Sequence, residues 1–140
     1  MPGTASSATF RWPVRVYYED TDAGGVVYYA NYLKFFERAR TEWLRELGFE
    51  QEDLRRRYGL VFAVRRACVD YLTPARFDDR LVVTASIARS GRAGLDFLQE
   101  AIRAVDARHC ARGEMSIVCL RLDDWRPARM PRELLEAIAR

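Results

Sequence analysis

Residues 10–49 read FRWPVRVYYEDTDAGGVVYYANYLKFFERARTEWLRELGF, and the pattern inside them decides the fold. Residues 10–19 alternate. Trp12, Val14, Val16 and Tyr18 fall on one face, with Arg11, Arg15, Tyr17 and Glu19 on the other, which predicts a half-buried strand. A loop over residues 20–27 follows, carrying Gly24 and Gly25. Residues 30–47 then run without Gly or Pro, and Tyr32, Phe36, Ala39, Trp43 and Leu47 recur at three- and four-residue spacing, with Leu33, Arg40 and Leu44 alongside. That periodicity predicts a long helix with a broad apolar stripe. Asn31 is placed to cap its start and Gly48 to stop it.

Working outward, residues 50–57 open with Glu50, Glu52 and Asp53 and close with Arg55, Arg56 and Arg57, a charge order that suits a short second helix. From Leu60 the period changes. Residues 60–72, 80–89, 95–105 and 112–122 are β-rich or alternating, and Leu81, Val83, Ala85 and Ile87 form the clearest apolar face. Turn material separates them at Thr73-Pro74, at 90–94 and at 106–111. Met130-Pro131 opens a final helix. The order β-α-(α)-β-β-β-β-α predicts an α+β domain. An antiparallel five-stranded sheet must cover the apolar stripe of one long central helix.

The whole chain has 140 residues, 49% of them hydrophobic and 31% charged, which suits a single soluble domain able to bury its own core. Residues 1–9 are small and polar, and read as a flexible leader ahead of a domain over residues 10–140. They lack the basic and apolar regions of a secretory signal. No stretch is apolar enough for a membrane helix. Net charge is +3, and scattered arginines dominate the basic residues, with Lys34 the single lysine. That is a weak footprint for nucleic acid, so no nucleic-acid partner is expected. Cys68, Cys110 and Cys119 are odd in number and in no C-x-x-C spacing, which points to reduced thiols in the cytoplasm and to no zinc site.

The densest run of chemistry lies between the first strand and the long helix. Glu19, Asp20 and Asp22 precede Gly24-Gly25 and a helix start. A helix N-terminus offers unpaired N–H groups and partial positive charge. Glycine permits close backbone approach by a ligand. The same loop also fits a plain capping role for Asp20 or Asp22. It lacks the spaced ligands and distal Glu of a calcium loop.

These residues resemble the hot-dog-fold acyl-CoA thioesterases, most nearly the Tol–Pal-associated (YbgC-like) type related to 4-hydroxybenzoyl-CoA thioesterase. The resemblance runs over roughly residues 10–131. It is carried by the D-x-D-x-x-G-x-V-x-Y core from Asp20 to Tyr29 and by YLTPARFDDRL over residues 71–81. It implies a hot-dog fold, hydrolysis of acyl-CoA, a homodimer or homotetramer, and acyl carrier protein as a further partner. It places the catalytic carboxylate on Asp22 and the backbone N–H that polarises the thioester carbonyl on Tyr29. Gly25, Val26, Val27 and Asn31 match the surrounding substrate-binding signature. Many Tol–Pal-associated members carry His where this chain has Tyr29, so a mechanism needing His there is excluded. No metal or organic cofactor is implied.

Thioester hydrolysis needs a nucleophile or base, together with donors aimed at the developing oxyanion. Asp22 meets the first need either by direct attack or by activating water. Arg89, Ser90 and Arg92 in the S-G-R-A-G turn are candidates for the phosphates of coenzyme A, with Arg126 and Arg129 next. Tyr28, Tyr32, Phe35 and Phe36 fit either an acyl pocket or the core. His109, the single histidine, leaves little material for a triad or a multi-His metal site, and reads as a surface residue in a turn. Glu42 is placed to pair with Arg38 on the helix surface. The competing reading is a non-catalytic module that binds acyl thioesters at the cell envelope.

Overall fold

The computed structural model describes residues 9–140, and the leader expected over residues 1–9 lies almost wholly outside them. The chain enters as β1 (Phe10–Arg15) and makes a short 3-10 turn at Tyr18–Asp20 before the long helix α1 (Asn31–Glu46). After α2 (Gln51–Tyr58) come β2 (Leu60–Tyr71), β3 (Arg80–Ser90), β4 (Gly94–Arg103) and β5 (His109–Arg121), closed by α3 (Arg132–Ala139). The element order is the expected one. The five strands form one sheet in the order β1-β3-β4-β5-β2, and every neighbouring pair is antiparallel. β3, β4 and β5 make a meander. The connection after β2 carries the chain across to the other side of the sheet, where β3 pairs with β1.

α1 buries Tyr32, Phe35, Phe36, Ala39 and Leu44, and the sheet answers with Leu81, Val83, Ala85, Ile87, Leu95, Phe97, Met115 and Ile117. Each large side chain so buried contributes about 1.5–3 kcal/mol. Gly113 of β5 shows how closely the helix approaches: a Cβ there would stand 2.9 Å from Cε2 of Phe36. The helix ends as expected. Gly48 takes a φ of +95°, and Phe49 N–H reaches back to the carbonyl of Leu44. Gly59, at φ +66°, ends α2 in the same left-handed region.

One polar knot lies within this core. Gln99 of β4 is fully buried, and its side-chain amide donates to the carbonyls of Phe36 and Thr84 at 3.0 and 3.1 Å. Its Oε1 accepts from Arg40 at 3.0 Å. Burial lowers the pKa of that guanidinium, with nearby Glu37 opposing.

Three local expectations are corrected. The first strand stops at Arg15 rather than continuing to Glu19, because the 3-10 turn reverses the chain; Tyr18 is therefore 82% exposed instead of buried. β5 begins at His109, so His109 and Cys110 belong to a strand and not to a turn. Glu42 pairs with Arg45 at 2.6 Å rather than with Arg38, whose guanidinium lies over the Phe35 ring. Of the two readings open for Tyr32, Phe35 and Phe36, the structure gives the core one, since all three are buried. Among the described residues no helix is long and apolar enough to cross a membrane.

Candidate active site

The loop between β1 and α1 is a narrow hairpin built largely from its own backbone. Thr21 faces Val27 across an isolated bridge, Asp22 N–H donates to the carbonyl of Val26 at 2.9 Å, and Gly25 N–H returns to the carbonyl of Asp22 at 3.0 Å. Gly25 closes the turn at φ +81°, where an L side chain would be strained. At the tip, Oδ1 of Asp22 accepts the N–H of Gly24 at 2.8 Å. That bond leaves Oδ2 free of protein donors among the described residues, and the side chain is exposed on the isolated chain.

Two further ties fix the hairpin in space. The carbonyl of Asp20 accepts both the N–H of Tyr28 and the side-chain amide of Asn31, each at 2.9 Å. Asp20 itself is turned inward, its carboxylate accepting Tyr17 N–H at 2.8 Å. On the far flank Val27 N–H donates to Ala75 at 2.8 Å, and Val26 bridges to Arg76. The hairpin is thus stapled to the start of α1 and to the β2–β3 connection together.

Asn31 departs from its expected role. It is the first residue of α1, the capping position falls on Ala30, and no side chain caps the helix there. The Asn31 amide instead reaches outward to the hairpin. The result leaves donors open at the helix mouth. Among the described residues no acceptor takes the N–H of Tyr29 or of Ala30.

Tyrosine rings surround this point. Tyr28 and Tyr29 lie with centroids 4.8 Å apart, and Tyr71, the last residue of β2, stands edge-on to Tyr29 at 6.0 Å. The Tyr28 phenol is raised in pKa by its hydrogen bond with Tyr29 and that residue's charge, then by desolvation, with the Asp22 carboxylate adding in the same direction. Asp22, Gly25, Val26, Val27, Tyr29 and Asn31 all fall in this one construction.

The expected phosphate residues do not. Arg89 and Ser90 end β3 and Arg92 sits in the turn beyond, whereas the hairpin is tied to Ala75 and Arg76, just before the start of that strand. Eleven residues of β3 separate the two ends by about 33 Å. Arg89 lines a separate surface groove of about 330 Å³ with Arg65, Asp96 and Pro127. A single chain therefore does not bring Arg89, Ser90 or Arg92 to Asp22. His109 sits with Nδ1 2.7 Å from Oε2 of Glu100, and Cys110 is buried beside it.

Tyr71 was not singled out from the sequence. The signal available was its place as the first residue of the YLTPARFDDRL stretch, at a strand end that the topology brings to the helix mouth.

Comparison with known proteins agrees with this architecture. Residues 16–138 match the model of the thioesterase-like superfamily. The chain is 42% identical over 128 residues to the acyl-CoA thioesterase YbgC of Haemophilus influenzae, covering 91% of this chain and 93% of that one. It is also 42% identical over 130 residues to the acyl-CoA thioester hydrolase YbgC of Escherichia coli O6:H1, with 93% and 96% covered. The crystal structure of a 1,4-dihydroxy-2-naphthoyl-CoA thioesterase from Synechocystis shares the fold at a TM-score of 0.87 and 27% identity, over 94% of this chain and 96% of that one. With its hot-dog fold and its YbgC-type relatives, the chain belongs to the thioesterase-like superfamily.

Proposed function

We propose that this chain hydrolyses acyl-CoA thioesters to free acid and coenzyme A, with Asp22 and the Tyr29 N–H as its working groups. The observation that carries the reading is the open Tyr29 N–H at the mouth of α1, beside a hairpin whose tip presents one unengaged carboxylate oxygen. A thioester carbonyl held at that N–H gains a fixed donor for the negative charge that develops on its oxygen, a contribution of about 3–4 kcal/mol to the barrier. Asp22 then acts in one of two ways. It attacks the carbonyl carbon and expels coenzyme A thiolate, leaving an anhydride that water cleaves, or it takes a proton from water as water attacks. Both routes end with the same acid and thiol, and neither calls for a metal or an organic cofactor.

Gly25, Val26 and Val27 shape the approach to Asp22, and Asn31 holds the hairpin against the helix. Since Arg89, Ser90 and Arg92 stand at the opposite end of their own sheet, they serve a coenzyme A phosphate at this site only from a neighbouring copy. That arrangement calls for a homodimer or homotetramer. Residues 10–140 act as a single cytoplasmic domain in this reading, and acyl carrier protein thioesters are further substrates to try.

The test is release of free thiol from a panel of aliphatic and aromatic acyl-CoAs by the purified chain and by Asp22→Ala. Release by the wild type and its loss in the variant support the reading. Release that is unchanged in Asp22→Ala removes Asp22 from the chemistry. Tight binding without release on every acyl group favours a non-catalytic binding module.

A further inference from the structure

Resting on the reading of Asp22 just given, we propose that Asp79 is a positioning residue that fixes Asp22 through a chain of peptide groups. Asp79 stands immediately before β3, within the YLTPARFDDRL stretch. Its Oδ2 accepts the N–H of Arg76 at 2.9 Å. That N–H shares a peptide plane with the carbonyl of Ala75, which accepts Val27 N–H at 2.8 Å. Val27 N–H in turn shares its plane with the carbonyl of Val26, and this carbonyl accepts Asp22 N–H at 2.9 Å. Three hydrogen bonds through two rigid peptide groups thus join the main chain of Asp22 to one carboxylate oxygen. All three donate in the same direction, toward the anion. Bonds aligned in this way polarise one another, and the charged acceptor strengthens the last of them.

Asp79 is itself firmly held. Its carbonyl accepts Val16 N–H at 2.9 Å, just beyond the end of β1, and its own N–H donates to the carbonyl of Arg76 at 3.1 Å. The guanidinium of Arg103, at the end of β4, lies 3.7 Å from the same Oδ2 and donates to the carbonyl of Pro74 at 3.2 Å. Ala75 is fully buried, so the middle of the chain is shielded from competing water. The bonds within the hairpin set its shape, whereas the bond from Val27 to Ala75 sets where that shape stands against the β2–β3 connection. Removing the Asp79 carboxylate frees the Ala75–Arg76 peptide plane to turn. Val27 and the main chain of Asp22 follow it.

The experiment compares wild type, Asp22→Ala, Asp79→Ala and Asp79→Asn in steady-state thiol release and in residue-resolved amide NMR of the folded protein. Asp79→Ala is expected to lower kcat about tenfold with KM within about twofold of wild type. The amide protons of Val27 and Asp22 should move upfield together as their hydrogen bonds weaken, while those of β4, in the middle of the sheet, stay in place. A merely structural role would lower the urea midpoint and leave the Val27 and Asp22 amides of the folded state unmoved. Asp79→Asn keeps an acceptor of the same size without the charge, so its kcat should fall only about threefold, with smaller amide shifts in the same direction. A kcat for Asp79→Ala within about twofold of wild type, or unmoved Val27 and Asp22 amides, overturns the proposal. Should Asp79→Ala not fold, Asp79→Asn decides alone, and unmoved amides at Val27 and Asp22 overturn the chain. The two readings fail separately. If wild type releases no thiol or Asp22→Ala is fully active, the site assignment fails; if both behave as expected and the Asp79 variants are silent, only the positioning role fails.

Discussion

The side-chain amide of Asn31, first residue of α1, donates to the main-chain carbonyl of Asp20 at 2.9 Å, and this bond couples the helix to the hairpin that carries Asp22. The same carbonyl takes the N–H of Tyr28, so a single oxygen gathers the two sides of the candidate site.

Removing that amide should separate activity from stability. Asn31→Ala loses one partly buried hydrogen bond, a change of about 1 kcal/mol in unfolding free energy. The hairpin retains its own bridge at Thr21 and Val27, so the fold persists. A fall in kcat of about tenfold is expected, larger than the stability loss explains, because small misplacement at a reacting centre is costly. Thiol release and urea denaturation on the same variant check it.

Gln99 offers a test of the core. Gln99→Leu roughly keeps the volume, takes one donor from each of the carbonyls of Phe36 and Thr84, and leaves the Arg40 guanidinium without its Gln99 acceptor. Leaving buried polar groups unpaired costs about 1–3 kcal/mol each before relaxation, so a loss of roughly 3 kcal/mol is expected. The urea midpoint should fall with little change in slope.

The thiols titrate and react according to burial. Cys68 is exposed, whereas Cys110 and Cys119 are buried, so a thiol reagent should find one cysteine in the native protein and three after unfolding. Burial pushes the Cys119 thiol up from its ordinary 9.0 to about 11. The unfolded chain therefore gives up that proton first. The folded state is favoured fully below pH 9, and its advantage declines as pH climbs from 9 towards 11. Tyr32, raised by burial from 10.0 to about 12, adds a similar decline at higher pH. Urea midpoints at pH 8 and 10 should show a drop of about 1 kcal/mol from the cysteine, and Cys119→Ala should show a shallower drop.

Most of the architecture was written in periodicity. The stripe on residues 30–47 and the alternation of Leu81, Val83, Ala85 and Ile87 are repeated signals, each supported by many positions, and the helix and sheet core followed from them. The strand order was another matter, since pairing of β2 with β5 is set by a crossover that no local pattern encodes. Boundaries failed where one competing local bond decided them. Tyr18 kept the strand alternation, yet the Asp20 carboxylate on Tyr17 N–H turned the chain into a 3-10 helix. Asn31 looked like a cap because its amide seeks backbone groups; it found the carbonyl of Asp20 instead of the helix. Asp22 and Tyr29 were legible as a motif, while the distance to Arg89, Ser90 and Arg92 was not, because sequence carries no measure of which end of a strand faces the loop.

The most direct test of the account is kcat for Asp22→Asn at saturating acyl-CoA. The amide retains the size of the carboxylate and can still accept the Gly24 N–H, so the hairpin is preserved while the anionic oxygen is lost. The account predicts a fall of about a hundredfold to ten-thousandfold in kcat, with KM and thermal midpoint close to wild type. An Asp22→Asn enzyme that turns over at the wild-type rate would contradict it.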